Sequence, residues 1–339
     1  MRNLSTAGRF AVGVLAAIIA TVVVVTALGR IAGFAEMRAT LGAADPQWLV
    51  LCAIGQLGVF AGYAGALRRT VDSAGEVRIA TGASIRLVLA SFAATQVFAF
   101  GGVGGLAVLY WALRRLGRER REATVELIGL NTAVYLVFGL IAWTAAAIAL
   151  VRSSAPVAMT VPWLAVIPVL LALARWFTRP RRVDRWTSED RTGWRRLLGI
   201  GVAAAAWTRA RTVDRRSLFA WALLYWAGDV LSLAAALRAF DASPPLAALV
   251  VAYTTGYIAQ WLPIPLIATA GVDAATSATL HAVGVPLEAA LLAVVAHRVF
   301  AFWLPVIPGA AFALTLPGLA PVEADDDQRS GVSDSADSS

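Results

Sequence analysis

LVLASFAATQVFAFGGVGGLAVLYWAL, Leu87–Leu113, is long and apolar enough to cross a bilayer, yet its centre reads Gly101-Gly102-Val103-Gly104-Gly105. Glycine in a helix interior costs roughly 1 kcal/mol relative to alanine, so four in five residues break the helix. The stretch either crosses the membrane or turns back within it, and the position of every later segment depends on which.

Charge decides between the two. If the stretch turns back, the N-terminal tail and the loops Arg68–Arg86, Arg114–Arg121 and Arg179–Arg216 share one side. They carry two, four, five and eleven Arg, and the opposite face keeps only Arg30, Arg38, Arg152 and Arg238. If the stretch crosses, 8 Arg lie inside and 18 outside. Short cytoplasmic loops are enriched in Arg and Lys, so the re-entrant reading is preferred. Irregular backbone at membrane depth must be buried in protein or line a cavity, and the glycine turn is therefore expected beside one.

The rest of the chain agrees with a membrane setting. It is 59% hydrophobic, with a mean hydropathy of +0.71. Spans of about 20 apolar residues are read at Phe10–Gly29, Gln47–Leu67, Thr124–Val151, Val161–Phe177 and Ser217–Leu237. The fold class expected is an all-α polytopic integral membrane protein, with about six to eight transmembrane helices and two broken, re-entrant segments. One transmembrane domain is expected over residues 1–321, followed by a disordered, acidic, Ser-rich tail over 322–339. The apolar run after Arg9 is too long for a signal-peptide core and Leu28-Gly29-Arg30 is a poor cleavage site, so Phe10–Gly29 is read as an uncleaved helix. Arg179–Arg196 reads as a loop. Leu197–Trp207 is too short to span and reads as an interfacial helix.

All 29 basic residues are Arg, which with the Ala-rich composition points to a GC-rich bacterial genome. The expected location is the bacterial plasma membrane, with the N-terminus and the C-terminal tail cytoplasmic. The net charge of +8 is explained by topology, and nucleic acid is not expected as a partner. Most of the 12 Trp lie near span ends (Trp48, Trp111, Trp163, Trp176, Trp221), which fits interfacial anchoring. One cysteine, Cys52, and two histidines make a metal site improbable, and no metal or cofactor is expected.

The second half repeats the first weakly. Each half, about 87–151 and 246–309, has a broken segment, a turn at Gly117 or Gly284, and a long helix. By the charge-derived topology the second broken segment starts from the opposite face, which defines an inverted repeat. Such repeats place binding sites near the midplane, between the broken elements.

Ionisable residues inside this apolar frame are the candidate site. His297 and Arg298 are the only such residues between Leu291 and Leu319. A charge at the bilayer centre costs several kcal/mol and normally faces a pathway, a partner or a ligand. Guanidinium binds phosphate through a two-pronged fork. The same group could instead pair with Asp273, Glu288, Asp229 or Glu126. His297 could donate to a backbone carbonyl, and its use as a proton carrier lacks support from a second core histidine, because His281 is placed near the surface. Asp229 is an acid in mid-span, either an Arg partner or a protonatable relay. Pro263 and Pro265 end a helix at depth, and a half-helix starting near Gly271 would aim its amides at a phosphate. Asp273 is read equally as a cap of that half-helix. Glu126 reads as a favourable charge at its helix start. Gly101, Gly102, Gly104, Gly105, Gln96 and Trp303 complete the candidate lining.

The run LPIPLIATAGVDAATSATLHAVGVPLEAALLAVVAHRVFAFWLPVIPG, Leu262–Gly309, resembles the lysylphosphatidylglycerol synthase transmembrane-region family, which includes the flippase half of the bacterial multiple-peptide-resistance factor. The matching residues are Pro263, Pro265, Gly271, Asp273, Gly284, Val285, Pro286, Ala289, Arg298, Trp303, Pro305 and Gly309. FAFGGVGGLAVLYWALRRLG, Phe98–Gly117, resembles the family's other Gly-rich motif. Two positions depart from the pattern: Ile267-Ala-Thr-Ala-Gly271 replaces a Gly-Gly break, and His297 stands where the family has Tyr. No soluble aminoacyl-transferring domain lies in these 339 residues, so the resemblance implies lipid translocation rather than synthesis.

The function expected is binding or flipping of an anionic lipid, a phospholipid or a polyprenyl-phosphate, in a midplane cavity. Two rivals stand beside it. One is an integral glycosyltransferase or other lipid-modifying enzyme with a polyprenyl-phosphate donor. It would want paired acids on the outer face near the membrane; Glu36 and Asp45 are the only acids in the first outer loop, and they are not paired. No nucleophile elbow, phosphate-binding loop or HExxH motif is present. The other is a non-catalytic partner that docks an envelope-synthesis enzyme through Arg179–Arg216; a homo-oligomer is the other partner expected.

Overall fold

The computed structural model describes residues 44–72, 78–97, 103–187, 193–214, 216–261 and 267–315. The expected first span Phe10–Gly29, the acidic tail 322–339 and the two breaks at 98–102 and 262–266 lie outside them. The described chain is helical: α1 (Pro46–Asp72), α2 (Thr81–Val97), α3 (Val103–Arg115), α4 (Arg120–Val151), α5 (Val157–Phe177), α6 (Pro180–Thr187), α7 (Gly193–Asp214), α8 (Arg216–Ala239), α9 (Leu246–Tyr257), α10 (Ile267–Ala282) and α11 (Leu287–Thr315). Five described helices are long and apolar enough to span a membrane: α1, α4 and α5 whole, Ser217–Ala239 of α8 and Leu287–Gly309 of α11. This is a multi-pass, all-α membrane protein, as the sequence led us to expect.

Local chemistry sets the ends. Asp45 caps α1 by accepting a hydrogen bond from Gln47 N at 2.9 Å, and Pro46 sits at the first helical position, where its missing N–H costs nothing. Proline at the first position also opens α6, so the stretch Arg179–Arg196 expected as a loop holds a short helix. The interfacial helix expected at Leu197–Trp207 runs the full length of α7. It lies on α4, where Trp207 covers Gly129 and Thr208 Oγ1 donates to Gly129 O at 3.1 Å.

The most extensive packing is between α1 and α8, which run antiparallel. Gly55 meets Gly228 and Ser232, and Gly62 meets Tyr225 and Trp221. A Cβ on Gly55 would stand 2.7 Å from the carbonyl oxygen of Gly228. Small residues at such contacts let backbones approach, which substitutes in lipid for the missing hydrophobic drive. Beside them, Trp226 is fully buried, donates its indole N–H to Val134 O at 2.8 Å and packs on Phe138 at 4.4 Å between ring centroids. Trp226, Trp163 and Trp221 therefore serve interior packing rather than anchoring. Trp163 donates to Thr255 Oγ1 at 3.1 Å, and Trp221 fills the space at Gly65. Trp48 and Trp176 each lie beneath a guanidinium (Arg238 and Arg182).

The two broken segments pack crosswise. α2 lies on α11, while α9 lies on α4. Arg118, in the turn between α3 and α4, donates through Nη2 to Val71 O at the end of α1, at 3.1 Å. Residues 71 and 118 therefore share one end of the bundle, and α2 and α3 together run out and back between them. α9 and α10 are also antiparallel: Gly256 meets Thr276, and Thr279 Oγ1 donates to Ala252 O at 2.7 Å. The turns that follow the two hairpins match. Gly117 has φ +85° and Gly284 φ +95°, and each is spanned by a long bond, Arg118 N to Leu113 O at 3.1 Å and Val285 N to Leu280 O at 3.2 Å. This is a helix-ending turn that needs a left-handed residue, which glycine supplies at no steric cost.

On the periphery, α5 buries only Thr160 and Ile167 and exposes Val161, Val166, Val169, Leu170 and Leu173. Thr132 and Thr144, exposed on α4, donate to the carbonyls of Ile128 and Leu140, each at 2.8 Å. Such back-bonding satisfies hydroxyls where no water is at hand.

Candidate functional site

Successive residues of a helix are rotated by about 100°, so His297 and Arg298 on α11 face different neighbours. Arg298 turns toward α10, where its Nε lies 3.3 Å from Asp273 Oδ2. His297 turns toward α1 and α8. Its Nε2 lies 3.4 Å from Asp229 Oδ1, and its Nδ1 shares a hydrogen bond with Ser232 Oγ at 3.0 Å. Two adjacent bases thus meet two acids from different helices.

The acids are held in turn. Gln56 Nε2, on α1, donates to Asp229 Oδ1 at 2.9 Å and stands 3.1 Å from Ser232 Oγ and 3.3 Å from His297 Nδ1. Tyr253 on α9 donates its hydroxyl to Asp229 Oδ2. Cys52 Sγ lies 3.1 Å from Ser232 Oγ and is otherwise packed in α1, as expected of it. The Asp273 and Arg298 side chains keep 19% and 24% of their surface exposed, against 13% and 15% for Asp229 and His297. The Arg298 pair is therefore the more open of the two.

Several expectations change. α10 begins at Ile267, so Gly271 and Asp273 lie in its second turn. The half-helix does not start at Gly271, and Asp273 is an ion-pair partner rather than a cap. His297 bonds side chains, not a carbonyl. Glu126 lies 2% exposed, with its Oε2 3.6 Å from Arg118 Nε, so it is the buried partner of a loop guanidinium instead of a surface charge at a helix start. His281 is exposed, as expected, with Nδ1 3.0 Å from Val285 O.

Gly104 and Gly105 open α3, and Gly105 presses on Ser91 and Thr95 of α2. Gly309 presses on Leu89 and Ala93, which fixes α2 against α11. Gln96 lies in the last turn of α2 and Trp303 in mid-α11. Gly101, Gly102, Pro263 and Pro265 fall outside the described residues. The sequence reading missed Gln56, Ser232 and Tyr253. The available signal was Gln56 in CAIGQLG, an amide in a span that must find partners. Among the described residues no group of three or more potential ligands gathers for a metal.

Spanning helices around a centre of paired charges define a polytopic membrane protein with a polar core site. Residues 12–309 match the family described as the lysylphosphatidylglycerol synthase TM region. The chain belongs to that family, the one its C-terminal motif resembles. No curated protein and no solved structure gives a significant match to it.

Proposed function

We propose that the chain binds an anionic lipid headgroup at Arg298 and carries it between leaflets. Family membership places it among membrane proteins of lipid metabolism or transport, and the finer reading is ours. The observation that carries it is the Arg298–Asp273 pair, 3.3 Å apart and partly open, on the helix that follows the second break. A lipid phosphate takes the place of Asp273 at the guanidinium and keeps its charge paired throughout. The crossed hairpins are read as re-entrant segments of an inverted repeat, which offers the headgroup equivalent routes from both faces. The Arg-rich end is assigned to the cytoplasm of a bacterial cell, where it attracts anionic lipid.

The test is lipid translocation in liposomes holding a fluorescent phosphatidylglycerol or a polyprenyl-phosphate, wild type beside Arg298→Ala. Loss of translocation with the thermal midpoint retained supports the reading. A collapse of stability makes the pair a structural salt bridge. No translocation by the folded wild type rejects transport and leaves an enzyme or partner role. Asp45, one of the two outer-loop acids such an enzyme would use, is occupied in capping α1.

A further inference from the structure

The site holds a second pair whose charge is not fixed. We infer that Asp229–His297 is a proton-binding site, and that one proton is taken up with each anionic headgroup, so that proton and lipid move together. The inference rests on the headgroup reading above.

Donor accounting supports a site with two protonation states. With neutral His297 carrying its proton on Nε2, that proton faces Asp229 and Nδ1 accepts from the Ser232 hydroxyl. With His297 protonated on both nitrogens, Nδ1–H donates to Ser232 Oγ, whose own proton turns to Cys52 Sγ at 3.1 Å. Asp229 keeps its bonds from Gln56 and Tyr253 in both states. Rotation of one hydroxyl therefore leaves both ring nitrogens of His297 with a partner in either state.

The charges link this site to its neighbour. Around His297 stand Asp229 and Ser232 from α8, Gln56 from α1 and Asp273 from α10; Tyr253 of α9 reaches it through Asp229, Cys52 of α1 through Ser232, and Arg298 is next in the chain. α2, also packed on α11, has Arg86 as its one ionisable residue, in its second turn. With His297 neutral, the two acids outnumber the one guanidinium by one charge. Protonation of His297 balances them. A bound lipid phosphate adds a negative charge, and a proton on His297 offsets it. Each ligand therefore raises the affinity for the other, by the same factor in both directions. Coupled in this way, lipid and proton leave the acid side together, and lipid gathers in the leaflet facing the alkaline side.

Two measurements on the full chain test this. The first is NMR of ring-labelled histidine in detergent, where only His281 and His297 contribute. The His297 signal should titrate while the protein stays folded, move in Asp229→Asn, and shift on adding dihexanoyl-phosphatidylglycerol. A His297 signal that never titrates while the protein is folded overturns the proton site, whatever the lipid does. A signal that titrates but ignores the lipid rejects the coupling. The second is the leaflet distribution of fluorescent phosphatidylglycerol in liposomes under an imposed pH gradient. One unit of gradient should hold up to about a tenfold asymmetry, lost in His297→Gln. Equal leaflets despite active translocation overturn the coupling but leave the headgroup reading intact. No translocation by folded protein whose His297 does titrate rejects the headgroup reading instead, and the coupling with it.

Discussion

Arg298 and Asp273 illustrate how one residue type can be read from sequence and its partner cannot. An arginine in an apolar run is conspicuous because its burial costs several kcal/mol. Which acid it meets depends on the rotation of two helices about their axes, and four acids were open to it. Gln56, Ser232 and Tyr253 escaped for the opposite reason: neutral polar residues are ordinary in transmembrane helices. If Asp273 is the partner that a phosphate displaces, Asp273→Asn removes the competitor. Dihexanoyl-phosphatidylglycerol should then bind up to about tenfold more tightly, equivalent to about 1.4 kcal/mol, as read by calorimetry. Arg298→Lys should weaken binding, because an ammonium cannot make the two-pronged contact. Unchanged affinity in both variants would place the headgroup elsewhere.

At the scale of elements, the turns at Gly117 and Gly284 were legible because glycine marks them. Gly117 and Gly284 both hold a left-handed conformation that costs other residues roughly 1–2 kcal/mol. Gly117→Ala and Gly284→Ala should each lower the thermal midpoint by about that energy, and by similar amounts, since the two turns carry the same bond. Gly228→Val is expected to do more. Its Cβ would stand 2.6 Å from Gly55 O and 2.9 Å from Val59 N, both backbone atoms that cannot yield without parting α1 from α8. Overpacking of this kind costs typically 1–3 kcal/mol, so the midpoint should fall further than in either turn variant. A stable Gly228→Val protein would show that this contact is looser than described. Helix α6 was not legible, because its one apolar pair, Val183 and Trp186, is too short a pattern to set a period, and its helix is held by Phe177 and Trp176 against Trp186 and Arg182.

For the whole molecule, the balance of Arg predicted that the loops Arg68–Arg86 and Arg114–Arg121 share one side, and the contact of Arg118 with Val71 agrees with that. A second tie, Asp45 N to Ala239 O at 3.1 Å, joins the opposite ends of α1 and α8. Cysteines replacing Arg121 and Arg181 should react with an impermeant maleimide from one face, and one replacing Arg152 from the other. Cys52 is buried and should stay silent. Labelling of Arg121→Cys and Arg152→Cys from the same face would refute the arrangement. The pairing of the halves was only partly legible: Ala- and Leu-rich helices resemble one another by composition, and crossed packing is a property of three dimensions.

The tie between Arg118 and Val71 has a mechanical side. It ties the two ends of the segment between residues 71 and 118 together, and α2 and α3, packed on each other, then pivot as a unit. α3, at 13 residues, is about 20 Å long. A tilt of about 10° at its base moves its far end, at Val103, through about 3.5 Å, roughly the width of a phosphate oxygen.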